Sequence, residues 1–386
     1  MKNQIPYGRQ SIDDRDIQSV LKVLEGDWLT CGPKVAEFEQ ALAEYVGAKH
    51  VIAVSNGTTA LHLAMRAARI GAGDKVATSP NTFLASANCA EYVGASTRFS
   101  DIDPVSCNLD TALLEQNWQE GTKAVVAVDF AGQPCNMPEI ARIARGNGAI
   151  VIEDAAHAIG SRFRVDGVEY PVGGHPWAEL TTFSFHPVKT ITTGEGGAIA
   201  TNDDALAERC RSLRSHGMVK NRPDEPWYYE MAELGYNYRI TDIQCALGLS
   251  QLKKLDGFIE RRRQIVDRYN EAFQGLDWLC CPQIRGSGGF SPSRTVWHLY
   301  VVQINFPKIG ETRAQVMKEL LDAGIGTQVH YIPVHTQPYY REKYGYGTGD
   351  CPVAEAYYEK CLSLPLFPAM MDKEADRVIA AVKGLV

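Results

Sequence analysis

Between residues 50 and 200 the chain alternates short apolar runs with segments of helical period, and this alternation limits the possible folds more than any other feature. VIAVS (51–55) precedes GTTALHLAMRAARI, and KVATS (75–79) precedes FLASANCAEYV. TRFSDI (97–102), KAVVAVDF (123–130), AIVIED (149–154), LTTFSF (180–185) and GGAIAT (196–201) continue the series, and a helical ALAERCRSLR follows. Strands separated by helices form a mostly parallel sheet with helices on both faces. Such sheets bind ligands at the carboxyl ends of their strands. The polar and glycine-rich clusters fall at those ends: Ser55-Asn56-Gly57-Thr58, Glu153-Asp154, and Ser184 to Lys189.

Two helical segments, 13–25 and 35–46, precede the first strand. Residues 241–272 read as one helix-rich stretch that carries the chain out of a large domain, 1–250, into a smaller C-terminal α/β domain, 251–386. That second domain is expected to hold strands within 296–306 and 326–332 and helices at 313–323, 353–361 and 373–383. GSGGFSPS (286–293) reads as a mobile surface connection. The basic run Arg261-Arg262-Arg263 reads as a solvated helix face.

Composition narrows the function classes. The 386 residues are 45% hydrophobic, enough for a packed core. The net charge of −7 speaks against non-specific nucleic-acid binding. No apolar run approaches the ~18 residues that span a membrane. The N-terminal stretch has no apolar signal core. Ten cysteines without a CxxC pair read as reduced thiols of a cytoplasmic protein. The nucleotide P-loop, GxGxxG, HExxH and GxSxG are all missing, so no metal or serine-hydrolase chemistry is expected.

Three clusters carry candidate chemistry. SNGTTAL (55–61) offers either a phosphate cradle at a helix N-terminus or a plain turn with Thr58 as a helix cap. EDAAH (153–157) offers a carboxylate for a cationic ring nitrogen and a histidine to touch a ligand, or a capping Asp154 and a satisfied core His157. In SFHPVKTITTGEGG (184–197), Lys189 stands between an apolar strand and a glycine-rich turn. It is either a snorkelling surface lysine or a Schiff-base amine, since burial lowers a lysine pKa and frees the amine to attack a carbonyl. GYNYRITD (235–242) offers Asn237 and Arg239, with a polar surface loop as the bland reading. The histidines of HYIPVH (330–335) lack further ligands at metal spacing, so they are expected to shape a pocket.

Taken in order, WLTCGP (28–33), SNGTTAL, PNTF (80–83), EDAAHAIG (153–160), SFHPVKTITTGEGG, GYNYRITDIQCALGLSQL (235–252) and VHYIPVH (329–335) resemble the DegT/DnrJ/EryC1/StrS sugar aminotransferases, which have the fold-type I architecture of pyridoxal phosphate (PLP) enzymes. The resemblance implies that Lys189 bonds the cofactor aldehyde and later moves protons, and that Asp154 pairs with the pyridine nitrogen and keeps the ring an electron sink. It places Phe83 against the ring and His157 near the ring oxygen. It makes Gly57, Thr58 and Ser184 phosphate ligands, with Asn237 supplied by a neighbouring subunit, hence a homodimer with shared active sites.

Within the family, IPYGRQSI (5–12), DWLTCGPKVAEFE (27–39), SPNTFLASANCAEY (79–92) and PWYYEMAELGYNYRITD (226–242) are most similar to the UDP-4-amino-4,6-dideoxy-N-acetyl-β-L-altrosamine transaminases of pseudaminic acid biosynthesis. That likeness makes Tyr7, Trp28, Leu29, Thr30, Gln328, His330 and Tyr331 candidate sugar contacts. It implies transfer of the amino group of L-glutamate, through pyridoxamine phosphate, to C4 of a UDP-linked 4-keto-6-deoxy sugar. Amination of another nucleotide keto-sugar, GDP-linked, dTDP-linked or arabinose-type, is the alternative. PLP-dependent sugar dehydratases of this fold resemble the chain with histidine where Lys189 stands, which argues against that chemistry. Lys189, Asp154 and Phe83 together also argue against a non-catalytic PLP-binding regulator.

Overall fold

The computed structural model describes residues 4–386. Its centre is a seven-stranded sheet. β1 (His50–Val54), β2 (Lys75–Thr78), β3 (Ser96–Phe99), β4 (Thr122–Val128) and β5 (Ile150–Asp154) are joined by Leu180–Ser184 and Gly197–Thr201. Across the sheet the order is β1, Gly197–Thr201, Leu180–Ser184, β5, β4, β2, β3. Only Gly197–Thr201 runs against its neighbours. The other pairings, β2 with β3 and β4, β4 with β5, and β5 with Leu180–Ser184, are parallel. β1, β4 and β5 carry apolar runs whose residues are buried because both faces are covered. Ile52, Val54, Val126 and Ile152 face one buried cluster, and Val51, Ala53, Val125 and Val151 the other.

Helices supply the covers. α1 (Asp14–Leu24) and α2 (Pro33–Val46) precede the sheet, α3 (Gly57–Ala67) follows β1, and α4 (Leu84–Tyr92) follows β2. Asp13 and Asp16 close a capping box on α1, and Pro33 opens α2 where a missing N–H costs nothing.

Four expectations change. The helical stretch after residue 241 is two helices, Asp242–Leu252 and Leu255–Phe273. They break at Lys253 and Lys254, where the Lys254 ammonium turns back to Asp13 and Asp16. Within 286–293, Phe290 begins a strand, Phe290–Arg294, that pairs antiparallel with Arg162–Val165 and buries the Phe290 ring in the first core. Residues 326–332 form no strand: Gln328 alone bridges Ser363, and beyond it the polar groups of His330 bond side chains instead. Arg262 is not solvated; it is 1% exposed and donates to the carbonyls of Trp297, His298 and Leu366 at 3.2, 3.2 and 3.0 Å.

A second core gathers Ile265, Tyr269, Tyr300, Val302, Leu364 and Val378 with Ile5 from the chain's start. Ile5 donates to Gly324 O and accepts from Gly326 N, and Leu366 N donates to Tyr7 O. None of the ten cysteines is bridged. Among the described residues no helix is long and apolar enough to cross a membrane.

Candidate active site

The site lies where the parallel strands end. At the end of β1, the Asn56 side chain accepts from Thr59 N at 2.9 Å and its own N–H donates to the Thr59 hydroxyl, so Asn56, and not Thr58, caps α3. The first-turn N–H groups of a helix have no partners within it, and they attract anions. Those of α3 start at Gly57. A Cβ at Gly57 would stand 2.9 Å from the Ser184 Cβ, so only glycine lets the end of Leu180–Ser184 come this close. The hydroxyls of Thr58 and Ser184, beside this turn, have no hydrogen bond with the described residues. Together the groups form a cradle of donors that fits a phosphate.

β5 ends on Asp154, which is buried. One of its carboxylate oxygens accepts from the Ser86 hydroxyl at 2.6 Å and the other from Ala156 N at 3.1 Å. Ser86 is itself within 2.7 Å of the Thr82 hydroxyl. Burial raises the Asp154 pKa, while these bonds and the Lys189 charge oppose the rise. Lys189 follows Leu180–Ser184 on the turn held by its N–H to His186 O. Burial lowers its pKa to about 8, against the pull of Asp154. A minor fraction of the amine is therefore uncharged near neutral pH, the form a nucleophile requires.

Three histidines sense the Lys189 charge, and Tyr7, Tyr331 and Phe83 frame the cleft beside them. His157, His298 and His330 are buried, and burial followed in turn by neighbouring charges holds all three below the usual imidazole range, His330 at about 4. His157 Nε2 is 3.3 Å from the Tyr331 hydroxyl, and its ring centroid is 4.3 Å from that of His298. His330 bonds the Ser363 hydroxyl at 2.7 Å and lies 5.7 Å, ring to ring, from Tyr7. Phe83 is 57% exposed, 6.3 Å from the Tyr331 ring, and offers a free aromatic face to a flat ligand. Lys189, Asp154, Phe83 and the phosphate cradle thus fit the groups of pyridoxal phosphate: an aldehyde partner, a ring-nitrogen partner, a stacking face and an anion seat.

The expected site residues fall into two groups. Asp154, His157, Lys189, His330, Tyr331, Tyr7 and Phe83 are linked by the contacts above, with Gly57, Thr58 and Ser184 at the strand ends. Trp28, Leu29 and Thr30 instead stand exposed around the start of the helix Asp242–Leu252, while Asn237, also exposed, bridges Ser215, and the next residue accepts from Ser55 N at its carbonyl. Asp242 N donates to Leu29 O, the Asp242 carboxylate accepts from Gly32 and Lys34 N–H, and Thr30 bridges Thr241. Gln328 is exposed and turns its amide oxygen onto Val329 N at 2.9 Å. Among the described residues no histidine, cysteine and carboxylate cluster could hold a metal.

Residues 10–383 match the DegT/DnrJ/EryC1/StrS aminotransferase family. The chain belongs to that family. Its aminotransferases depend on pyridoxal phosphate, and this chain is a PLP-dependent sugar aminotransferase. It is 44% identical over 388 residues to the spore coat polysaccharide biosynthesis protein SpsC of Bacillus subtilis, covering 99% of this chain and 97% of the relative. It is 38% identical over 378 residues to the UDP-4-amino-4,6-dideoxy-N-acetyl-β-L-altrosamine transaminase of Campylobacter jejuni, covering 97% and 95%. The solved structure of Helicobacter pylori PseC, an aminotransferase of pseudaminic acid biosynthesis, superposes with a TM-score of 0.90 at 30% identity, over 99% of both chains.

Ser86 and His298 escaped the sequence reading. Each is brought to its partner by tertiary packing alone. The string WHLY around His298 read only as a strand.

Proposed function

We propose that this aminotransferase moves the amino group of L-glutamate to C4 of a UDP-linked 4-keto-6-deoxy-2-acetamido hexose of the L-altrose type, the amination step of pseudaminic acid biosynthesis. The observation that carries this reading is the 38% identity, over nearly the whole chain, to a transaminase named for the amino sugar that reaction yields. The higher identity to SpsC keeps another nucleotide keto-sugar as the second reading.

Bound in this cleft, pyridoxal phosphate supplies the electron sink and the temporary amino carrier. The chain's residues do the rest. The α3 first turn, with Thr58 and Ser184, anchors the phosphate. Asp154, oriented by Ser86, would pair with the ring nitrogen of the bound cofactor. Phe83 would offer it a stacking face, and His157, kept neutral, would stand near its ring. The Nζ of Lys189 would hold and return a proton as general acid and base, a role that typically contributes 10²–10⁴-fold. Tyr7, His330 and Tyr331 line the sugar side.

The exposed Asn237 is read as a phosphate ligand for the site of a second copy, and Trp28, Leu29 and Thr30 as sugar contacts. Gln328 is the remaining candidate sugar contact.

The test is kcat/KM for UDP-2-acetamido-4-keto-6-deoxy sugars of L-altrose and D-glucose configuration at saturating glutamate. One unmade hydrogen bond to a buried polar group costs about 1–3 kcal/mol, a roughly ten- to hundredfold preference. We expect the L-sugar to win. Equal rates or a D-preference would leave only the broader sugar aminotransferase activity.

A further inference from the structure

Behind the cleft lies a second cavity of about 300 Å³. Phe130 divides the two: its ring is 6.2 Å from that of Tyr331 on the cleft side and 6.0 Å from that of Tyr357 on the cavity side. Trp297 completes an aromatic wall. The lining includes no Lys, Arg, Asp or Glu. It does include Gln133 and Thr295, which are 5% and 8% exposed. The amide nitrogen of Gln133 and the hydroxyl of Thr295 are buried without a hydrogen-bond partner among the described residues. Such groups cost about 1–3 kcal/mol each when nothing satisfies them.

The backbone of the wall is also unusual. Ala131 and Trp297 hold left-handed conformations, with φ of 56° and 50°. Non-glycine residues in this region carry strain and cluster where ligands are clamped. The two positions are tied by His298 N donating to Ala131 O at 2.9 Å.

We propose that this cavity is a ligand site distinct from the cofactor cleft, taking an uncharged single-ring molecule rich in hydroxyl or amide groups, the chemistry of a neutral sugar. The unmet donor and hydroxyl call for a polar ligand. The aromatic wall suits the apolar face of a ring. A lining without cations gives a phosphate or carboxylate no compensation for lost water. The volume is at the small end of ligand pockets and admits one ring.

One cysteine makes the test local. Cys280 lines the cavity and is exposed. The PLP-loaded enzyme is alkylated with iodoacetamide, and the rate at Cys280 is read by peptide mass spectrometry. The probes are N-acetylglucosamine and its anionic 1-phosphate. By mass action the neutral sugar should slow Cys280 about threefold at twice its Kd, with the 1-phosphate protecting less. Thr295→Val and Gln133→Leu should each abolish the protection while the cofactor absorbance stays intact. Unprotected Cys280 with both probes, better protection by the phosphate, or protection that survives both variants would each overturn the assignment.

Discussion

Lys189 is held where its own charge is disfavoured, and its stability linkage has a definite sign. Its pKa is about 8 in the native chain and about 10.4 in an unfolded one. Below pH 8 both states hold the proton, so Lys189 adds no pH dependence. Between these values the unfolded chain binds a proton that the native chain has released, and stability rises with pH. In cofactor-free protein, the urea midpoint of wild type relative to Lys189→Met should therefore climb from pH 8 to 10. The gain should be on the order of 1–2 kcal/mol, given the lysine's partial exposure. A constant difference would contradict the buried-amine picture. The string around Lys189 left a surface lysine and a Schiff-base amine both open, and EDAAH left Asp154 as a cap or a ring partner; only the family resemblance chose between them. The Ser86 bond to Asp154 was not legible at all, because it spans 68 residues and depends on how α4 meets β5. His157 and His298 meet for the same reason.

Among elements, strands declared themselves best. Buried parallel strands need apolar residues on both faces, so VIAV, AVVAV and IVIE stand out in the chain. Weaker signals failed where partners decide the outcome. Phe290–Arg294 is polar and glycine-flanked and becomes a strand only by pairing with Arg162–Val165. Arg262 lies in a basic run on the helix Leu255–Phe273, and only packing shows that three carbonyls surround it. Burial lowers its pKa to about 10, so it stays charged at neutral pH. Arg262→Met would remove the desolvation cost of the charge but leave those carbonyls unpaired. The net loss should be about 2–4 kcal/mol, seen as a lower urea midpoint at unchanged slope. Arg262→Lys should recover only part, since one ammonium does not match a planar fork.

At the scale of the whole molecule, a row of exposed apolar side chains on and after α1, Ile17, Leu21, Leu24 and Trp28, supports the proposed dimer. If Asn237 serves the partner's phosphate, lesions in trans should complement. Lys189→Ala and Asn237→Ala subunits, each impaired alone, would be mixed and exchanged. A heterodimer then carries one doubly damaged site and one intact site, so random pairing should restore about a quarter of wild-type activity. No recovery after exchange is proven by mass spectrometry would refute the shared site.

The bonds of Ile5 and Tyr7 to residues 324, 326 and 366 also set the order of assembly. Ile5 leaves the ribosome long before its partners, and its apolar side chain must wait for a core made of later residues. Closing so long a loop is slow, because its entropy is lost before the contacts repay it. The sheet around Lys189 can form during synthesis. The second core, and with it the wall that carries Tyr7 and His330, closes only after residue 366 has emerged, so a catalytically competent cleft is among the last features of the molecule to appear.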